Sequence, residues 1–435
     1  MAHLTVRSGY TSFVERINRF PQGAAPTPTL FKILRVLMSE KEAGYLSLLP
    51  IKPFGLADAA KAWRVPASEA GRILEALASR GIILDVEHPN GDMEYSLPPP
   101  MAGFFEFSLM RLRDDIDQKI LSELFYEYMN VEEDFIKGLF CEGETRLGRA
   151  FVHEPSLPDS PRLHVLGYER ASEVIQTASH RAVGICYCRH KMSHKGKACD
   201  APMDICMTFN GVAESLIRHK IARPVETSEC MDLLHRAYER NLVQFGENVR
   251  ERVNFICNCC GCCCEAMLAA KRFAFLHPVQ TTNYLPVVLD EQCTGCARCI
   301  DVCPVEAMGL VNAGDPRKPK RKKARVDEEI CLGCGLCVKA CAKDAMTMKE
   351  RKNRTITPLN SAHKAVMMAI ERGMLQNLIF DNRMLWNHRA MAAICGVILS
   401  LPPVKQAMAS AQVKSRYMEW LLQRRATHIE EQHQH

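Results

Sequence analysis

The chain has 435 residues, of which 47% are hydrophobic and 24% charged, a balance that excludes a disordered polymer and allows roughly two to four packed domains. A net charge of +6 is too small to imply nucleic acid by itself. The 21 cysteines, in a reducing compartment, point to metal or redox chemistry rather than a disulfide framework.

The opening residues MAHLTVRSGYTSFVERINRF are amphipathic and lack the apolar h-region of a secretory signal. No run reaches the roughly 18 apolar residues of a membrane span. The nearest, Ala390 to Val404, is shorter and ends in Pro-Pro-Val. A cytoplasmic location is therefore expected. Phe13, Ile17 and Phe20 mark a first helix, followed by the linker-like PQGAAPTPT.

From about 29 to 100 the pattern is helix, helix, helix, hairpin. Phe31, Ile33, Leu34 and Leu37 share one face. A short helix covers Leu56 to Trp63, and Pro66 opens a third with Ile73, Leu74, Leu77 and Ala78. GIILDVEHPNGDMEYSL then reads as two strands around a His88-Pro89-Asn90-Gly91 turn. That order is winged-helix-like. Such modules read DNA with the third helix, but Ser68, Glu69, Ala70, Gly71 and Arg72 make a poor basic footprint, so nucleic acid is not expected and protein docking or scaffolding is.

Residues 104 to 140 read as a further helical stretch with Phe107, Met110, Leu112, Ile116, Ile120, Leu121 and Leu124 on one buried face. Pro155, Pro158 and Pro161 separate it from the cysteine-bearing half, where helix resumes at Tyr168 to Ile175. The expected organisation is α+β and multidomain. It comprises an N-terminal helix and linker (1–28), a winged-helix-like module (29–100), a helical connection (101–160), a cysteine-rich middle (161–283), a cysteine repeat (284–350) and a helical C-terminal region (351–435).

Residues 293–303 read CTGCARCIDVC and 331–341 read CLGCGLCVKAC. Both are C-x2-C-x2-C-x3-C, offset by 38 residues, and Gly295/Gly333, Ala307/Ala345 and Met308/Met346 keep the same offset. The unit resembles the bacterial two-[4Fe-4S] ferredoxin domain. The resemblance implies crossed ligation: Cys293, Cys296, Cys299 and Cys341 for one cluster, and Cys331, Cys334, Cys337 and Cys303 for the other. Pro304 follows the first motif, whereas Ala342 stands where the second proline would be. Between the repeats, NAGDPRKPKRKKAR carries seven Lys or Arg from Arg317 to Arg325. It reads as a solvated loop or as a docking patch for an acidic redox partner.

Two further groups lie upstream. Cys186, Cys188, Cys199 and Cys206 would suit one metal or one [4Fe-4S] cluster, with His190 and His194 as alternative ligands. Arg189, Lys191, Lys195 and Lys197 would stabilise an anionic centre there. In NFICNCCGCCCEAM, six of eight consecutive positions are cysteine: Cys257, Cys259, Cys260, Cys262, Cys263 and Cys264. A cubane uses four, so some would ligate and others pack, or the group would complete the Cys186 set. Zinc and structural thiols are the alternatives. The paired cysteines are similar to the Cys-Cys-Gly motifs of heterodisulfide-reductase-type subunits with noncubane clusters, without that family's long spacers and second motif. Cys141, Cys230 and Cys395 fit no spacing and read as inert buried thiols.

RINRFPQGAAP, LLPIKPF, LPPPMAGFFEFSLMR, GICYCRHKMSHKGKACDAPMDICMTFN, FGENV and FICNCCGCCCEA resemble a family of [4Fe-4S] dicluster ferredoxin-like proteins of anaerobic bacteria and archaea. The resemblance implies electron transfer through iron–sulfur clusters and names no substrate. No G-x-G-x-x-G follows a strand and no G-x4-G-K-[ST] occurs, so no nucleotide or flavin site is expected. The expectation is an electron-transfer protein or oxidoreductase subunit with two [4Fe-4S] clusters and at least one more iron–sulfur cluster, serving a redox partner. A redox-sensing winged-helix regulator and a catalytic Fe–S reductase with its active cluster between residues 186 and 264 are the alternatives.

Overall fold

The computed structural model describes residues 8–157 and 165–379. At the N-terminus, helices Gly9–Ile17, Pro28–Leu37, Glu40–Leu48, Leu56–Trp63 and Ala67–Ala78 surround an antiparallel sheet of β1 (Phe54–Gly55), β2 (Leu84–Glu87) and β3 (Met93–Ser96), in the order β1-β3-β2. Local chemistry sets the helix starts. Thr27 accepts from Leu30 N with Pro28 in the first turn. Ser39 and Glu42 form a reciprocal capping box.

The stretch after residue 100 is not one helix. It breaks into helices Gln118–Tyr126 and Asp134–Phe140, with an irregular turn between 108 and 117. Leu112 is 76% exposed and Ile120 49%, so the single buried face expected there is not formed. The acidic run explains the break. Asp117 accepts from Ile120 N at 2.9 Å and starts a new helix, while Asp115 pairs with Arg113. The turn carries Phe107 and Met110 inward, and the Met110 carbonyl accepts from Ile185 N at 2.9 Å.

A six-stranded antiparallel sheet follows: β4 (Gly148–Ala150), β5 (Arg181–Ile185), β6 (Asp204–Phe209), β7 (Arg223–Pro224), β8 (Val243–Glu247) and β9 (Phe255–Cys259), ordered β4-β8-β9-β6-β5-β7. It begins at Gly148, ahead of the boundary expected at 161. Helices Tyr187–His194 and Glu265–Arg272 leave the ends of β5 and of the loop after β9.

The repeat forms two ribbons. β10 (Tyr284–Val288) pairs with β13 (Met346–Glu350), and β11 (Met308–Asn312) with β12 (Lys322–Val326). The basic insertion is thus the tip and returning strand of a hairpin. Helix Ser361–Glu371 clamps back on the sheet through a buried Lys364–Glu247 pair at 2.6 Å. Ala390 to Val404, Cys395 included, lies outside the described residues. Among the described residues, no helix is long and apolar enough to cross a membrane.

One apolar core runs through all three regions. It joins Phe13 and Leu30 to Phe105 and Phe125, then to Cys259 and Cys264, then to Val305, Cys331 and Leu336.

Candidate metal centres

The repeat closes around two cavities of about 20 Å³ each. Cys293, Cys296, Cys299 and Cys341 line one; Cys303, Cys331, Cys334 and Cys337 line the other. Each set takes three thiols from one repeat and one from the other. Left-handed residues shape both loops at matching positions: Gly295 and Gly333 at φ 71°, Ala297 at 69° and Gly335 at 84°. A Cβ on Gly333 would lie 2.1 Å from the Tyr284 carbonyl oxygen, so only glycine fits. Backbone N–H groups already point at sulfur: Ala307 N to Cys303 Sγ at 3.2 Å, and Ala345 N to Cys341 Sγ at 3.3 Å. Such donors stabilise anionic cluster sulfur.

The two cavities differ in depth. Cys296 is exposed, and the basic hairpin lies beside its cavity, with Ala324 N donating to Cys293 Sγ at 3.3 Å. The other cavity faces inward. Cys331 and Leu332 belong to the main core, and His153 N donates to the Cys334 carbonyl at 2.8 Å. Burial pushes the thiols of Cys331 and Cys334 up to about 11 and about 12.

The upstream cysteines regroup in the fold. Cys199 leaves its sequence neighbours and joins Cys260, Cys262 and Cys263, with all four sulfurs within 4.8 Å of one another. Cys199 and Cys260 are 3.6 Å apart, as are Cys262 and Cys263. The four-cysteine grouping expected at 186, 188, 199 and 206 is therefore corrected. The reason is strand pairing: β6 and β9 are neighbours, with Met207 opposite Ile256, which carries Cys206 toward Cys257.

Cys186, Cys188, Cys206, Cys257, Cys259 and Cys264 form a second set. Neighbouring thiols interact in the order 186–206–257–259–264–188, and Cys188 senses the charge of Cys186, which closes a ring. Cys257 and Cys259 share a face of β9 because strand side chains alternate. Asn258 points the other way, donating to the Ile205 carbonyl at 2.9 Å and accepting from Gln244 at 3.0 Å. Cys186 and Cys264 immediately precede helices, whose positive ends favour thiolate, but at Cys186 the hydrogen bond with Cys206 and burial win and push the thiol well up. Hydrogen bonds from Cys206 and Cys259 bring Cys257 down to about 7, and those from Cys188 and Cys259 hold Cys264 well below the usual thiol range. In the four-thiol set, the hydrogen bond from Cys263, helped by the Arg189 charge, outweighs burial and brings Cys260 down to about 3.

All six ring cysteines line one cavity of about 80 Å³, together with Cys260 and Cys263 of the four-thiol set. Glu106, Arg189 and Thr208 line it too. Burial, and then the charges of Cys264 and Cys186, push Glu106 up to about 8. Arg189 is 1% exposed and donates to the carbonyls of Pro202 and Asn258 at 2.9 and 2.8 Å. The other basic residues expected beside the thiols are engaged elsewhere. Lys191 forms a buried pair with Glu265, and Lys195 and Lys197 lie over the Tyr126 ring at 5.3 and 4.9 Å. His190 and His194 do not join either set: His190 Nδ1 bonds the Leu109 carbonyl at 2.7 Å, and its Nε2 lies 3.3 Å from His194 Nε2. Cys230 is fully buried and pushed up to about 12 by burial; Cys141 is half-buried and raised for the same reason. Sequence reasoning missed Glu106, Thr208 and Asn258; only the Cys-Asn-Cys alternation hinted at the last.

The loop between the two upstream sets rests on the repeat. A Cβ on Gly261 would lie 2.7 Å from the Pro304 carbonyl oxygen, and Pro304 follows Cys303. Lys271 pairs with Glu306 at 3.0 Å across the same joint.

This geometry defines an iron–sulfur protein. The model of the 4Fe-4S dicluster domain family matches residues 292–345, and this segment is a 4Fe-4S ferredoxin-like domain. No curated protein matches the chain.

Proposed function

We propose that the chain is a cytoplasmic iron–sulfur electron-transfer protein, or the relay component of an oxidoreductase, that carries single electrons from a surface donor into the upstream cysteine sets. Cys293, Cys296, Cys299 and Cys341 hold the outer [4Fe-4S] cluster, and Cys303, Cys331, Cys334 and Cys337 the inner one. Cys199, Cys260, Cys262 and Cys263 hold a further [4Fe-4S] cluster. The residues fit these groups: each set offers four soft thiolates, the number a cubane takes. When bound, the clusters supply one-electron redox chemistry. The observation that carries this reading is the Gly261–Pro304 contact, which sets the four-thiol loop directly against the chain segment bearing Cys303.

A redox-sensing regulator is the less supported reading. The N-terminal module has the element order of a winged helix, but its hairpin is occupied within the chain. Asp85 on β2 takes a hydrogen bond from Ser215 at 2.6 Å, lies 2.9 Å from His219 Nε2, and pairs with Arg218 at 3.2 Å. A hairpin bound to the helix Asn210–Arg218, which follows β6, suits a scaffold rather than a DNA reader.

Iron and sulfide counting on anaerobically purified protein, with EPR of Cys→Ser variants in each set, tests the assignment. About twelve irons or more per chain are expected, with about four lost on Cys199→Ser. About eight irons, unchanged in that variant, would show that only the repeat binds clusters.

A further inference from the structure

We propose that the ring of Cys186, Cys188, Cys206, Cys257, Cys259 and Cys264 holds a double cluster, two [4Fe-4S] cubanes joined by one bridging sulfide. The inference rests on the reading that the upstream thiols ligate iron–sulfur clusters, and it goes beyond that reading in cluster type.

Number comes first. One cubane takes four thiolates, so a single cubane would leave two of the six neighbouring ring thiols unused. Two separate cubanes would need about eight thiolates, and the four-thiol set already claims the remaining upstream cysteines. Coordination balances for the bridged pair. Eight irons require eight outer ligands; six thiolates fill six positions, and one sulfide shared between the cubanes fills the last two.

Size points the same way. The ring cavity is about 80 Å³, whereas each ferredoxin-type cavity, lined by four thiols for one cubane, is about 20 Å³. A chamber four times as large, lined by the six ring thiols and by Cys260 and Cys263 besides, is not built for one cubane.

The wall supplies what such a cluster needs. Six thiolates and a bridging sulfide concentrate negative charge in a dry interior, which is costly without a buried cation and donors. Arg189 is that cation, and its Nε is buried without a hydrogen-bond partner. Thr208 Oγ1 is likewise buried and unpartnered. Both residues line the cavity, so two orphan donors are available to cluster sulfide. Two helix N-termini, at Tyr187 and Glu265, add favourable dipoles.

The test is cofactor content of the full chain, reconstituted anaerobically with iron and sulfide, by elemental analysis and native mass spectrometry, with Mössbauer spectra. The expected content is about twenty irons: eight in the repeat, four in the four-thiol set and eight in the ring. Cys206→Ser should lose more than four irons, and Cys199→Ser about four. About sixteen irons in the wild-type chain would overturn the double cluster in favour of one cubane and two spare thiols, leaving the relay reading intact. About twelve would empty the ring, and about eight would defeat the relay reading itself. The wild-type mass decides between these outcomes even where a variant fails to fold.

Discussion

The backbone of Gly261 lies against Pro304: a Cβ on Gly261 would come within 2.7 Å of the proline carbonyl oxygen and 3.0 Å of its Cα. Both obstacles are backbone atoms, so no side-chain rotation relieves the clash. Gly261→Ala should therefore push the cysteine loop off the repeat at a cost of about 1–3 kcal/mol. Thermal unfolding reads the destabilisation. Stopped-flow reduction by a low-potential donor should show the repeat reduced at its normal rate and the upstream centres more slowly. Unchanged upstream kinetics would remove this contact from the electron path.

The exposed side of the repeat predicts where electrons enter. Arg317, Lys318, Lys320, Lys322 and Arg325 are exposed, while Arg321 and Lys323 are held by ion pairs to Asp315 and Asp290. Replacing Lys318 and Lys320 with Glu should lower the second-order rate with an acidic ferredoxin-type donor by about tenfold or more at low salt. The dependence on ionic strength should flatten as well. A rate indifferent to both charge and salt would mark the hairpin as merely solvated.

The docked hairpin of the N-terminal module makes a stability prediction. Burial alone would raise Asp85, but hydrogen bonds from His219 and Ser215 and the Arg218 charge hold it below the usual carboxylate range. A carboxyl lowered in the folded state contributes stability that is complete above its unfolded value of about 4 and is lost as pH falls through the lower folded value. Asp85→Ala should cost about 3 kcal/mol at pH 7, since it strands His219 and Arg218, and the deficit should shrink in acid. Denaturant titrations of both proteins at pH 7 and in acid provide the check. Duplex DNA should bind neither protein in a salt-dependent manner.

The repeat contains its own control. Ala297 holds φ 69° where the second repeat has Gly335 at 84°. An alanine there bears a cost of roughly 1 kcal/mol that glycine does not. Ala297→Gly should stabilise the loop by about that amount with full iron content. Gly333→Ala, whose Cβ would meet the Tyr284 oxygen, should lose about four irons. Iron counts and melting temperatures of the two variants should move in opposite directions.

The four cysteine sets differ in how far they were legible in the amino-acid order. In the repeat, three thiols of each set fall within seven consecutive residues, and the fourth follows the same spacing one repeat away. A short loop with two left-handed turns dictates that geometry locally, so the motif alone grouped all eight thiols into the two sets that line the cavities. The helices near Phe13, Ile33, Leu56 and Leu74 were equally plain, because capping and apolar periodicity act within a few residues, whereas Glu40–Leu48 went unread. The helical run expected over 104–140 failed because acidic side chains between 114 and 117 compete for the backbone. The upstream partition was decided by tertiary structure. Cys199 and Cys206 lie seven residues apart yet go to different sets, because pairing of β6 with β9 draws Cys206 toward Cys257 while the loop after helix Tyr187–His194 delivers Cys199 to Cys260. Which thiols meet there depends on strand register and helix direction across nearly eighty residues, and no local spacing encodes either.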